Sequence, residues 1–228
     1  MIPGSSPGTT AVQPELPVMP GDTHRVAILG QTGSGKTMAG IWHLSRRRFD
    51  RMPWIIFDFK GDEHIESLPA RELKITRHPP TSPGLYVVRP MPGQEDEVET
   101  FLWRTWKNGR TGLYFDEGYM VTGSDAFRAI LTQGRSKRLP AIILSQRPMW
   151  MDNFVFTEAS FFQVFHLLYK KDRDKVDAFV NADMEKRLPD YHSWWYQVGR
   201  DKLSVLGPVD HNRTVRRIRN RTGKTIWV

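Results

Sequence analysis

Apolar residues along this chain gather in short runs: Val26–Leu29, Trp54–Phe57, Leu85–Val88, Leu113–Phe115, Ala141–Leu144 and Phe161–Leu168. Runs of this length, bounded by turn-forming or polar residues, predict strands buried on both faces, as in a parallel sheet. Between them the spacing becomes helical. Met38, Ile41, Trp42 and Leu44 share one face, and Val98, Phe101, Leu102 and Trp106 share another within Gln94–Lys107, whose first turns are acidic. Ser124–Thr132 predicts a helix capped by Ser124 or Asp125, and Lys170–Val180 a charged helix. Residues 61–84 read as loop, short helix and short strand, ending in the turn-rich His78–Gly84. Two alternating stretches, Trp194–Val198 and Lys202–Leu206, flank Gly199-Arg200-Asp201 and predict a hairpin. The sum is an α/β fold: a mostly parallel central sheet flanked by helices, closed by a C-terminal β-hairpin.

The first run leads directly into chemistry. Val26–Leu29 is followed by Gly30-Gln31-Thr32-Gly33-Ser34-Gly35-Lys36-Thr37-Met38 and the first helix. This is G-x-x-x-x-G-K-[ST] in its required strand–loop–helix setting, the phosphate loop of nucleoside triphosphate sites. Its three glycines let successive N–H groups face one point at a helix N-terminus, where a polyphosphate such as that of ATP can sit. Lys36 would reach the β- and γ-phosphates, and the Thr37 hydroxyl would ligate Mg2+.

Other strands end in polar groups, which places those groups at the carboxyl edge of the sheet, the ligand side of such folds. Leu113–Phe115 delivers Asp116 and Glu117, two carboxylates costly to bury without partners. Beside a phosphate loop, Asp116 would share the Mg2+ with Thr37, and Glu117 would polarise the water attacking the γ-phosphate. Ala141–Leu144 ends at Ser145-Gln146-Arg147-Pro148, so Gln146 emerges at the same edge, within reach of a γ-phosphate. Trp54–Phe57 runs into Asp58, which could approach the metal through water or cap the next turn. Arg46-Arg47-Arg48 reads as the solvated C-terminal end of the first helix.

Charge alters the picture at the ends. The 228 residues carry a net charge of +8, which favours a polyanionic partner. Residues 1–22 hold five prolines and three glycines and read as a draped arm, free or clasping a neighbouring subunit. From Asp210 onward Arg213, Arg216, Arg217, Arg219, Arg221 and Lys224 form a basic tail (210–228). Such a tail either solubilises the terminus or contacts DNA phosphates, a capsid or another subunit. That leaves 23–209 as the ATPase domain. The sequence contains no cysteine, so disulfides and thiolate metal sites are excluded and an intracellular setting is expected. No run approaches the roughly 18 apolar residues of a spanning helix.

Four stretches together resemble the additional-strand, RecA-like P-loop ATPases of the FtsK/HerA superfamily of DNA pumps: ILGQTGSGKT (28–37), IIFDFKGDEH (55–64), LYFDEGY (113–119) and GRSKRLPAIILSQRP (134–148). The resemblance spans residues 25–209, and the bare size of the chain is similar to the genome-packaging ATPases of membrane-containing icosahedral viruses with double jelly-roll capsids. It implies a homo-oligomeric ring of roughly five or six subunits acting on double-stranded DNA without sequence preference. It also implies capsid-vertex or membrane proteins of a virion as partners, with the protein at the packaging vertex or in the host cytoplasm during assembly. In such rings a neighbour supplies an arginine finger; motif position assigns that part to Arg135, with Arg138 second. The expected catalytic set is then Lys36, Glu117, Gln146 and Arg135. Two other readings remain open: a plasmid or conjugative DNA pump of the same type, and a nucleotide-dependent assembly switch that does not hydrolyse ATP.

Overall fold

The computed structural model describes residues 17–222, and in it every strand-forming run joins one sheet. The strands are β1 (Arg25–Leu29), β2 (Pro53–Phe57), β3 (Arg71–Leu73), β4 (Gly84–Val88), β5 (Gly112–Phe115), β6 (Ala141–Ser145), β7 (Phe161–Val164), β8 (Ser193–Gln197) and β9 (Lys202–Leu206). Their order across the sheet is β3-β4-β2-β5-β6-β1-β7-β8-β9. The first seven run parallel, and β8 and β9 close one edge as the expected antiparallel hairpin.

Because both faces are covered, consecutive residues of one strand serve different cores. Val26 and Ile28 of β1 pack under one helical layer, while Ala27 and Leu29 pack under the other. Trp54 and Ile56 of β2 divide from Ile55 and Phe57 in the same way. This is why the sequence shows unbroken apolar runs and not alternation. The first layer contains α1 (Lys36–Ser45) and α2 (Glu63–Glu66); the second contains α3 (Glu95–Asn108), α4 (Asp125–Lys137), α5 (Asn153–Thr157) and α6 (Lys170–Asp177).

Three local readings change. The run 161–168 stays in the ladder only to Val164; beyond it the Phe165 N–H reaches the Leu29 carbonyl and His166 accepts from the Gln31 N–H, so the chain turns beneath the phosphate loop. The helix expected to stop at Thr132 continues to Lys137, because buried Gly134 lets it pass close to Leu139 and Arg138 ends it with φ 57°. The basic tail is, over its described part, a helix: α7 (His211–Thr222) packs on α1 with Val215 and Ile218 buried. Lys224 and residues 1–16 of the arm lie outside the described residues.

The rest of the arm is tied to its own chain. Val18 accepts from the Trp195 indole, and Pro20 and Gly21 each accept from Arg47 Nη1 at 2.7 Å. Arg47 is therefore buried, unlike the solvated helix end the sequence implied.

Candidate nucleotide site

The topology puts one strand, β6, between β1 and β5. Everything that leaves the carboxyl ends of these three strands therefore converges on one cleft. From β1 comes the loop Gly30–Gly35. Gly30 donates to the Ser145 carbonyl at the end of β6, at 3.2 Å. A Cβ there would lie 2.7 Å from both Phe165 Cβ and Ser34 Oγ, so only glycine fits. Gly35 has φ 92° where the loop enters α1, a left-handed turn that aims backbone N–H groups into the cleft. Lys36 opens the helix and is buried; desolvation lowers its pKa, while Glu117 and Asp116 counter that effect.

From β5 come Asp116 and Glu117. Asp116 N–H donates to the Phe57 carbonyl, which fixes the backbone as β5 ends. The Asp116 side chain is 3% exposed, its Oδ1 has no hydrogen-bond partner, and burial pushes its pKa up to about 7 despite nearby Lys36. A lone buried carboxylate oxygen in the same cleft as the Thr37 hydroxyl is a hard-oxygen donor set that fits Mg2+. Glu117 is fully buried. Lys60 Nζ pairs with its Oε1, and the Gln146 N–H lies 3.5 Å from its Oε2. From β6, Gln146 Oε1 accepts from Thr32 Oγ1 at 2.5 Å, a direct tie between the strand end and the phosphate loop.

These groups line a cleft of about 530 Å3 that includes Gln31, Gly33, Lys36, Thr37, Met38, Asp116, Glu117 and Gln146. Ser34, with its buried hydroxyl unpartnered, lines a second, adjoining hollow of about 220 Å3. Phe165, Tyr191 and Trp194 are among its walls, and Tyr191 borders both spaces. The two hollows together offer a polar seat for phosphates and an aromatic-walled seat of nucleobase size.

Arg135 stands elsewhere. It lies exposed on the last turn of α4, and its charge is felt by His24 and Arg25 at the start of β1. Both Arg135 and Arg138 are thus at the amino edge of the sheet, opposite the cleft of their own chain. Asp58 is used structurally: its Oδ1 accepts from Gly61 and Asp62 N–H, and its Oδ2 takes Arg89 Nε at 3.0 Å.

Of the cleft residues without a role in the sequence reading, two contact predicted site residues. Lys60 pairs with Glu117, and Asp62 Oδ2 accepts from Thr37 Oγ1 at 3.4 Å. Their signal was present in the polar Asp58–Asp62 stretch arriving at the ligand edge, but partners 57 and 25 residues away in sequence are invisible without the strand order.

A phosphate loop facing an acidic pair across one inserted strand defines the class: an α/β P-loop nucleoside triphosphatase. The chain is 43% identical over 203 residues to the DNA packaging ATPase P9 of Enterobacteria phage PRD1, covering 84% of this chain and 89% of that protein. It belongs to that family of packaging ATPases. Among solved structures, the genome packaging NTPase B204 of Sulfolobus turreted icosahedral virus 2, in complex with AMPPCP, superposes with a TM-score of 0.66 at 20% identity, over 83% of this chain and all of B204. ATPases 2 and 3 of EssC from Geobacillus thermodenitrificans share the fold at a TM-score of 0.61 and 10% identity, over 90% of this chain and 45% of that one. No protein-family model matches the chain.

Proposed function

We propose that this protein is an ATP-driven translocase that packages double-stranded DNA, working as a ring of subunits at a capsid vertex and joining it from the host cytoplasm during assembly. The observation that carries this reading is the meeting of Lys36-Thr37 with Asp116-Glu117 in one cleft, with Gln146 between them. Family membership supports DNA as the cargo.

In this reading the backbone of Gly30–Met38 wraps the triphosphate and Lys36 neutralises its outer phosphates. Thr37 and Asp116 would hold Mg2+, which would supply charge neutralisation to the phosphates. Glu117 orients the attacking water and accepts its proton; Lys60 and the Gln146 N–H fix that carboxylate at the water's approach. Gln146, bonded to Thr32, senses the γ-phosphate, and its loss shifts the β6 end relative to the loop. Arg135 acts on a neighbouring subunit, because it faces away from its own cleft. Such a finger accelerates hydrolysis by roughly 10³–10⁵ in related systems.

The test is ATP hydrolysis with and without duplex DNA, alongside the mass of the assembly. The expected result is stimulation by duplex of any sequence in an assembly several times the 26.4 kDa chain. Binding without turnover, with or without DNA, would instead favour an assembly switch.

A further inference from the structure

Residues 210–228 hold six basic side chains and one acidic one, so this short segment supplies most of the net charge of +8. Within α7, Thr214, Val215, Ile218 and Thr222 are buried against the domain, which turns Arg213, Arg216, Arg217 and Arg219 outward. The helix contains no carboxylate. Among the described residues none of these four arginines makes an ion pair.

The end of α1 adds a fifth cation to the same face. Arg46 lies over the Trp42 ring at 4.3 Å, and with Arg213 and Arg217 it lines a groove of about 420 Å3. Burial and the adjacent Arg217, Arg221 and Arg213 all disfavour its charge. Asp210 is the one carboxylate lining that groove. Cations that outnumber their counter-charges are stabilised by an anion that bridges them.

We infer that the outer face of α7, with Arg46, seats the sugar–phosphate backbone of duplex DNA; this rests on the translocase reading above. Twelve helical residues extend about 18 Å, a length over which a duplex presents roughly ten phosphates. A membrane-surface helix would offer apolar side chains to lipid, but those of α7 are committed to its own domain. Guanidinium groups in two rows match phosphate oxygens and read no base edge, as cargo of arbitrary sequence requires.

The placement also ties this seat to the nucleotide cleft. His211, at the start of α7, lies 3.2 Å from Met38 Sδ and 5.7 Å from the ring of His64, and both residues line the cleft. At the other end, Arg221 donates to the Arg47 carbonyl just past α1. The helix that follows the phosphate loop and the helix that would hold DNA therefore run side by side.

The experiment uses the full-length protein with a fluorescent duplex of arbitrary sequence, titrated from 50 to 200 mM salt (about fourfold). The variants are R213Q/R217Q and R216Q/R219Q, all at exposed positions. Each pair is expected to lower duplex affinity about tenfold or more at the low-salt end. Each should also flatten the plot of log K against log salt by about 0.9 for every phosphate that is no longer neutralised, while ATP hydrolysis without DNA is unchanged. R213K/R217K should keep most of the slope. Wild-type slope and affinity in both glutamine variants would overturn the inference. So would variants that bind duplex normally but fail only with anionic vesicles or with an acidic capsid protein. A wild-type protein that binds no duplex would instead remove the translocase reading itself.

Discussion

His43 illustrates how burial sets the chemistry of single residues here. It is fully buried on α1, with Nε2 2.8 Å from Gln163 Oε1 and its ring stacked on Trp195 at 5.2 Å. Desolvation, reinforced by Arg47, pushes its pKa down to about 3. An unfolded histidine titrates near 6.5. The native state therefore cannot take up the proton that the unfolded chain binds. Stability from this residue is complete above pH 6.5 and is lost as pH falls from 6.5 toward 3, by up to about 1.4 kcal/mol per pH unit. His43→Gln, neutral throughout, should flatten the acid limb of denaturant-unfolding stability between pH 6.5 and 4.5; parallel curves for the two proteins would contradict this. Nothing in the local sequence announces such a position, because its partners Gln163 and Trp195 come from strands far along the chain. The same holds for Arg47, which a run of three arginines disguised as a surface residue. By contrast the meeting of Lys36, Thr37, Asp116, Glu117 and Gln146 in one cleft was legible, since each sits where an apolar run or the glycine loop ends.

Elements were readable in proportion to how much of their packing their own residues declare. The strands declare almost all of it, as runs that need burial on both faces. Helix α7 declares little: Val215 and Ile218 are its only buried aliphatics among five arginines, so the charge pattern dominated and its docking on α1 went unseen. The boundary of α4 failed for a related reason, because Gly134 reads as a breaker until Leu139 is known to pack against it. Helix α1 holds the phosphate loop against the sheet through a close approach at Gly40. A Cβ there would stand 2.6 Å from Tyr114 Oη and 3.0 Å from Leu144. Alanine's helix propensity would gain about 1 kcal/mol, but overpacking costs typically 1–3 kcal/mol, and a branched side chain gains nothing. Gly40→Val should lower unfolding stability by on the order of 2–3 kcal/mol and weaken nucleotide binding with it. An unchanged denaturation midpoint would show that α1 does not press on β5 and β6 as described.

At the scale of the molecule, the cleft and Arg135 occupy opposite edges of one sheet. The strand order that produces this arrangement could not be read from composition or periodicity; it follows from long-range pairings such as β1 with β6 and β7. A subunit that carries its acids on one edge and Arg135 on the other is suited to the proposed ring, in which each copy would complete the next. Mixing Arg135→Ala subunits, which retain the acidic pair, with Glu117→Gln subunits, which retain the finger, should restore part of the hydrolysis that neither supports alone. No recovery at any mixing ratio would count against a finger supplied by a neighbour. The most direct measurement of the central claim is the turnover of Glu117→Gln at saturating Mg-ATP with duplex DNA present. Hydrolysis should fall by roughly 10²–10⁴ while nucleotide binding persists, as expected when the group that accepts water's proton is removed. Turnover at the wild-type rate would mean that ATP is not cleaved where the phosphate loop meets the acidic pair.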